Sequence, residues 1–187
     1  MIVAVLDANV LYPPALRDLF LWLAVSGLYS PRWSEAIHDE WMRNVLADRP
    51  DLTRVQLERT RTLMDQVDPQ SLVAGYQARI AGLNLPDAND RHVLAAAVEA
   101  KATVIVTFNL SDFPASALAA FGIQALHPDT FLCSLLQEAP ASFTAAVALH
   151  YASLRRPPKT REEYVATLRQ NRLNQLAVRL EERSDWS

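Results

Sequence analysis

Ile2-Val3-Ala4-Val5-Leu6 is an unbroken apolar run that ends at Asp7. Such a run suits a strand buried on both faces of a parallel sheet. A second run of the same kind, Thr103-Val104-Ile105-Val106-Thr107, lies about a hundred residues later. Between them, Ala15 to Ser26 reads as a helix after Pro13-Pro14, and Leu28-Tyr29-Ser30 as a short strand. Pro31 and Ser34 begin a further helix, and Leu52 to Val67 continues with helical composition. Asn84-Leu85-Pro86-Asp87 is a turn, and Asn89 is placed to cap an alanine-rich helix from Asp90 to Ala100. Ser116 to Phe121 suggests another helix and Gly122 to Leu126 a last strand. Alternating strands and helices predict an α/β domain over residues 1–135, with a central parallel sheet flanked by helices. The strand from Ile2 is expected at or near the centre, with the strand ending at Thr107 beside it.

Residues 136–187 read as an α-helical C-terminal extension, which Pro157-Pro158 must break into two or three helices. Phe143, Val147, Tyr151 and Leu154 recur at helical spacing, as do Leu173, Leu176 and Leu180, and should face the first domain. With 187 residues, half of them hydrophobic, the chain can bury one substantial core. Met1 to Leu6 lacks the basic flank of a signal peptide, and no apolar run approaches membrane-spanning length, so a cytoplasmic protein is expected. Cys133, the single cysteine, excludes an intrachain disulfide and a cysteine metal cluster and reads as core packing. The net charge of −3 divides unevenly: residues 1–150 carry 10 basic and 16 acidic side chains, residues 151–187 carry 8 and 5. A basic tail beside an acidic body fits RNA contact and equally an ordinary solvated helix.

In open α/β sheets, ligands collect at the carboxyl ends of strands. Asp7 stands at such an end, and Asn109 and Asp112 follow the other buried strand in Thr107-Phe108-Asn109-Leu110-Ser111-Asp112. Asp90 opens the alanine-rich helix, with Asp87 three residues before it. Each of these residues can also serve as a turn former or helix cap. On the segment from Trp33 to Val45, the stripe Trp33, Ile37, Trp41, Val45 marks the buried face. Asp39 then falls opposite it and Glu35 well away, so Glu40 is the acid that faces inward. An inward-facing acid needs a positive partner, either a divalent cation or an arginine such as Arg43. Oxygen ligands without cysteine or paired histidines select a hard cation, Mg²⁺ or Mn²⁺. Clustered carboxylates holding such an ion suit phosphodiester hydrolysis. His92, beside Arg91, reads as a surface or packing residue. Arg43, Arg49, Arg54, Arg59 and Arg61 alternate with Asp48, Asp51 and Glu58 as a solvated face, with Arg43 the best placed for an RNA phosphate.

Taken in order, Leu6-Asp7-Ala8-Asn9-Val10-Leu11, Glu40, Asp90-Arg91-His92-Val93-Leu94-Ala95-Ala96-Ala97 and Val106-Thr107-Phe108-Asn109 resemble the motifs of PIN-domain nucleases, VapC-type toxins above all. The resemblance covers residues 1–135 and extends to the subgroup with a helical C-terminal extension. It implies a PIN-like three-layer sandwich and a Mg²⁺- or Mn²⁺-dependent ribonuclease of a toxin–antitoxin system. Asp7, Glu40 and Asp90 match the metal-binding acids. Asn109 stands where the family has a fourth acid, which Asp112 or Asp87 would supplement. Thr107 matches the hydroxyl that orients the site, with Asn9 in support. It further implies an RNA substrate, a cognate antitoxin and a homodimer. Two other readings compete. A phosphohydrolase of haloacid-dehalogenase type would want an acid where Asn9 stands. A catalytically silent RNA- or protein-binding module would need no complete acidic set.

Overall fold

The computed structural model describes residues 1–186. Five strands form one parallel sheet: β1 (Val3–Leu6), β2 (Ser30–Ser34), β3 (Leu72–Val73), β4 (Val104–Val106) and β5 (Gln124–Leu126), in the order β3-β2-β1-β4-β5. The strand begun by the Ile2 run is therefore central, with Ala4 opposite Pro31 on one side and Val104 on the other. Ala4, Val5, Leu6, Ile105 and Val106 are fully buried, as helices covering both faces require.

Helices α1 (Ala8–Leu11), α2 (Pro14–Val25), α3 (Glu35–Asp48), α4 (Arg54–Asp65), α5 (Arg91–Glu99) and α6 (Ala115–Leu118) connect the strands. The helices α7 (Pro128–Glu138), α8 (Pro140–Ser153), α9 (Arg161–Gln170) and α10 (Asn174–Glu181) follow. The all-parallel sheet between helices gives the expected α/β sandwich.

Two local expectations are corrected. The second strand lies over Ser30-Pro31-Arg32-Trp33-Ser34, so Trp33 belongs to β2 and the helical stripe begins at Ile37. A proline inside a strand reads as a break, because it lacks a ladder donor. Ser30 N–H donates to Ile2 toward β1 and Trp33 N–H to Ser71 toward β3, so alternation points the Pro31 nitrogen to the β3 side. Pairing there starts only at Trp33, and no hydrogen bond is lost. Asn89 does not cap α5; it lies in a 3₁₀ turn, Ala88–Asp90, whose own cap is the Asp87 side chain accepting from Asn89 N–H.

The helices after β5 pack as spaced. Phe143, Val147, Leu173, Leu176 and Leu180 are buried, and Tyr151 and Leu154 partly so. Asp129 of α7 accepts from Gln175 N–H (2.8 Å) and Leu176 N–H (2.9 Å), so it supplies the cap that α10 lacks from its own sequence. Buried His150 of α8 meets Asp18 of α2 (3.1 Å) and Tyr164 of α9 (2.9 Å). Cys133 is a buried free thiol, and burial pushes its pKa up to about 11. No helix of the described residues is long and apolar enough to cross a membrane.

Candidate active site

Because β1 and β4 are parallel neighbours, their carboxyl ends meet. Thr107 Oγ1 donates to Asp7 Oδ2 (2.7 Å), and Asn9 Nδ2 donates to the same oxygen (2.7 Å) and to Thr107 Oγ1 (3.0 Å). Phe108 N–H donates to Asn9 Oδ1 (3.1 Å) and Asn109 N–H to Thr107 Oγ1 (3.0 Å). The Asp7 Oδ1 atom accepts from Ala8 N–H (2.7 Å) at the start of α1. Asp7 is therefore a cap and the core of a buried polar knot at once. Asn9, spent as a donor to Asp7, is not the second acid that a haloacid-dehalogenase site wants.

Burial raises the pKa of Asp7, the Glu40 charge adds to the rise, and the Thr107 hydroxyl opposes it. Asp90 is pushed up to about 6, by burial first and then by the charges of Asp7, Asp112, Asp87 and Glu40. Acids from the end of β1, from α3, from the turn before α5 and from the turn after β4 thus bear on one carboxyl. Asp90 immediately precedes α5 without its side chain accepting a capping bond, so its oxygens are not spent on the helix. Among the described residues no ion pair involves Asp7, Asp90, Asp87 or Asp112. Like charges left together without an arginine or lysine are the usual setting for a bound cation.

Glu40 is half-buried on the edge of α3, whereas Asp39 pairs outward with Arg54 and Glu35 with Arg61. Its basic neighbour is His92 rather than Arg43: Nε2 lies 3.5 Å from Glu40 Oε2. Arg43 is exposed one turn further along α3. The charge of His92 also opposes the rise at Asp7, and its Nδ1 is buried without a hydrogen-bond partner, as is Arg91 Nε. Sequence reading passes over His92. Its position two residues after Asp90, in the first turn of a helix aimed at the sheet edge, is the signal that finds it. Asn109 is exposed and Asp112 half-buried in the turn after β4, and the charge of Asp112 reaches Asp90.

The donor set is all oxygen apart from His92, which suits a hard divalent cation. Among the described residues no group of three or more acids, histidines or cysteines is arranged so that it could hold a metal ion. Mg²⁺ does not need such a group, since it is commonly held by one or two carboxylates while keeping several waters. The residues fit such an ion, with Asp7 buried and Asp90, Glu40 and Asp112 half-buried around it.

Residues 3–111 match the family model described as PIN domain, and residues 128–182 match the one described as VapC50 C-terminal domain. A protein of Mycobacterium tuberculosis named "Putative ribonuclease VapC50" is 55% identical over 62 residues. That alignment covers 33% of this chain and 36% of the relative, so the chain spans about a third of the length of the curated relative it matches. No solved structure matches the chain significantly. The PIN model accounts for more than half of the 187 residues and for every strand but the last, and the chain belongs to the PIN-domain family.

Proposed function

We propose that the chain is a metal-dependent endoribonuclease that hydrolyses RNA phosphodiester bonds, with residues 1–135 as its nuclease domain. The observation that carries this reading is the gathering of Asp7, Glu40, Asp87 and Asp112 around Asp90, uncompensated by lysine or arginine, at the carboxyl edge of a PIN-type sheet. Asp7, Asp90 and Glu40 would hold Mg²⁺ or Mn²⁺. When bound, the ion supplies Lewis acidity for activating water and neutralises charge on the phosphate oxygens. The chain does the positioning. Asn9, Thr107 and the Ala8 amide lock the Asp7 carboxylate in one rotamer. His92 steadies Glu40, and Asp90 stays free of backbone bonds. Arg43 is a candidate contact for an RNA phosphate. The relative's name and the VapC50 C-terminal model support a toxin role, with a cognate antitoxin and a homodimer as further parts of the same proposal.

Incubation of the full chain with single-stranded RNA and Mn²⁺ should yield 5′-phosphate and 3′-hydroxyl ends, and EDTA should abolish the reaction. RNA bound but left intact with Mg²⁺ or Mn²⁺ would favour the silent-module reading, which Asn109 in place of a fourth acid supports.

Asn109 and Asp112 define a separate expectation. An amide offers one neutral oxygen, so it strengthens Mn²⁺ binding less than a carboxylate does. Asp112→Asn should weaken Mn²⁺ affinity by about tenfold, in the range of residues that support a metal site from its periphery. Asn109→Asp should tighten it. Equal affinities by calorimetric titration across wild type and both variants would remove both residues from the site.

A further inference from the structure

The helices after β5 carry Arg172 to Phe108, at the end of β4. Phe108 follows Thr107 directly, and its N–H holds Asn9, which in turn holds Asp7. The Arg172 guanidinium lies over the Phe108 ring, with Cζ 4.6 Å from the centroid. His127 packs against the same ring edge-on, with centroids 5.0 Å apart. Arg172 is exposed, and among the described residues no carboxylate pairs with it. Its turn is fixed from below: Asp129 grips the amides of Gln175 and Leu176, and buried Leu173 closes the turn.

The backbone at Arg172 has φ 62°, the left-handed region that glycine usually takes just past a helix end. An arginine there carries backbone strain that a glycine would not. An exposed cation–π contact returns about the same amount, so neither the turn nor the stack alone favours arginine over glycine. What the stack does is hold a planar, permanently charged donor set over Phe108, the residue that follows the Thr107 hydroxyl bonded to Asp7. A polyanionic substrate approaching those acids needs such a counter-charge.

We propose that Arg172 is a substrate-binding residue, taking a backbone phosphate of single-stranded RNA while Phe108 holds its guanidinium in place. The proposal deepens the nuclease reading and rests on it. It assigns to the C-terminal helices a part in the RNA site.

The test uses the full chain and a fluorescein-labelled RNA decamer. Anisotropy titrations in EDTA compare Asp7→Asn with Asp7→Asn/Arg172→Gly at several NaCl concentrations. The glycine variant should bind about three- to tenfold more weakly, and the slope of log affinity against log salt should fall by about 0.7, the loss of one single-strand phosphate contact. Arg172→Lys should lie between, because it keeps charge without the fork. In the cleavage-competent protein, Arg172→Gly should raise KM and leave kcat within about twofold, the pattern of lost uniform binding. Since glycine suits the turn, the variant should melt no lower than wild type; if it does melt lower, Arg172→Gln provides the same comparison. Unchanged affinity and salt slope in both variants would overturn the proposal, including the case in which Arg172 serves only a protein partner. So would an absence of RNA binding by Asp7→Asn. RNA binding with the predicted loss, in a protein whose wild type cleaves no RNA, would overturn the nuclease reading and leave the phosphate contact standing.

Discussion

Asp90→Asn is expected to lower kcat/KM for RNA by about 10³-fold, near 4 kcal/mol of transition-state stabilisation. The same substitution should make the metal-free protein more stable. The Asp90 carboxyl is pushed up to about 6 in the fold against 3.8 unfolded, by burial and by Asp7, Asp112, Asp87 and Glu40. A raised carboxyl pKa means that the folded state binds the extra proton, so stability is greatest at low pH and falls as pH rises from about 4 through about 6. Above that window the ionised group opposes folding. Asp90 is only part-buried and solvent screens it, so the effect is closer to 1 kcal/mol than to the 3 kcal/mol that two pKa units would give a desolvated group. For a chain of this length Asp90→Asn should therefore raise the melting temperature at pH 8 in EDTA by about 2–4 °C and change it little at pH 4. Saturating Mn²⁺ should reverse the order, stabilising wild type more than the variant. Asp7→Asn should lose as much activity. It should gain less stability, because its carboxylate accepts three hydrogen bonds that an amide cannot fully replace. A cooperative loss of stability in Asp90→Asn at pH 8 would identify the residue as a structural anchor and count against the site.

Asp65→Ala should be the most destabilising change of a residue outside the hydrophobic core. Its Oδ1 accepts from Trp33 Nε1 (2.7 Å) and meets His38 Nε2 (3.0 Å), while His38 Nδ1 accepts from Trp41 Nε1 (3.0 Å). Trp33, His38 and Trp41 are all fully buried. Burial lowers the pKa of His38, and the hydrogen bond and charge of Asp65 oppose that. Removal of the carboxylate leaves two buried donors without an acceptor, each costing about 1–3 kcal/mol. A total near 3 kcal/mol corresponds to a fall of about 6–12 °C in melting temperature at this chain length. Asp65→Asn retains an acceptor oxygen and should recover much of the loss. Because Trp41 and Glu40 are neighbours on α3, RNA cleavage by Asp65→Ala should also fall, with KM and kcat both affected. A melting temperature within 2 °C of wild type would show that water replaces the carboxylate.

The central strand, its partner ending at Thr107 and the α/β class were legible because two-sided burial writes itself into sequence as unbroken apolar runs. Asp7 and Asp90 were legible because strand and helix ends are places where an acid is conspicuous. Glu40 followed from helical phase even though Trp33 belongs to β2, since Ile37, Trp41 and Val45 alone keep the stripe. Strand β3 was not legible, being two residues long, and β2 was expected at Leu28 to Ser30 but runs on through Pro31 to Ser34, because the tolerance of that proline depends on where its neighbour starts to pair.

Side-chain periodicity is a local property, so it dictates along the chain which segments must be buried and in what secondary form. It could not decide which polar groups meet. The contact of His92 with Glu40, the Asp65 link between β2, α3 and α4, the Asp129 cap on α10 and the seat of Arg172 on Phe108 join residues 27 to 64 positions apart. Hydrogen bonds and ion pairs act over a few ångströms and depend on direction, so only the folded chain, which sets those distances and directions, could choose the partners.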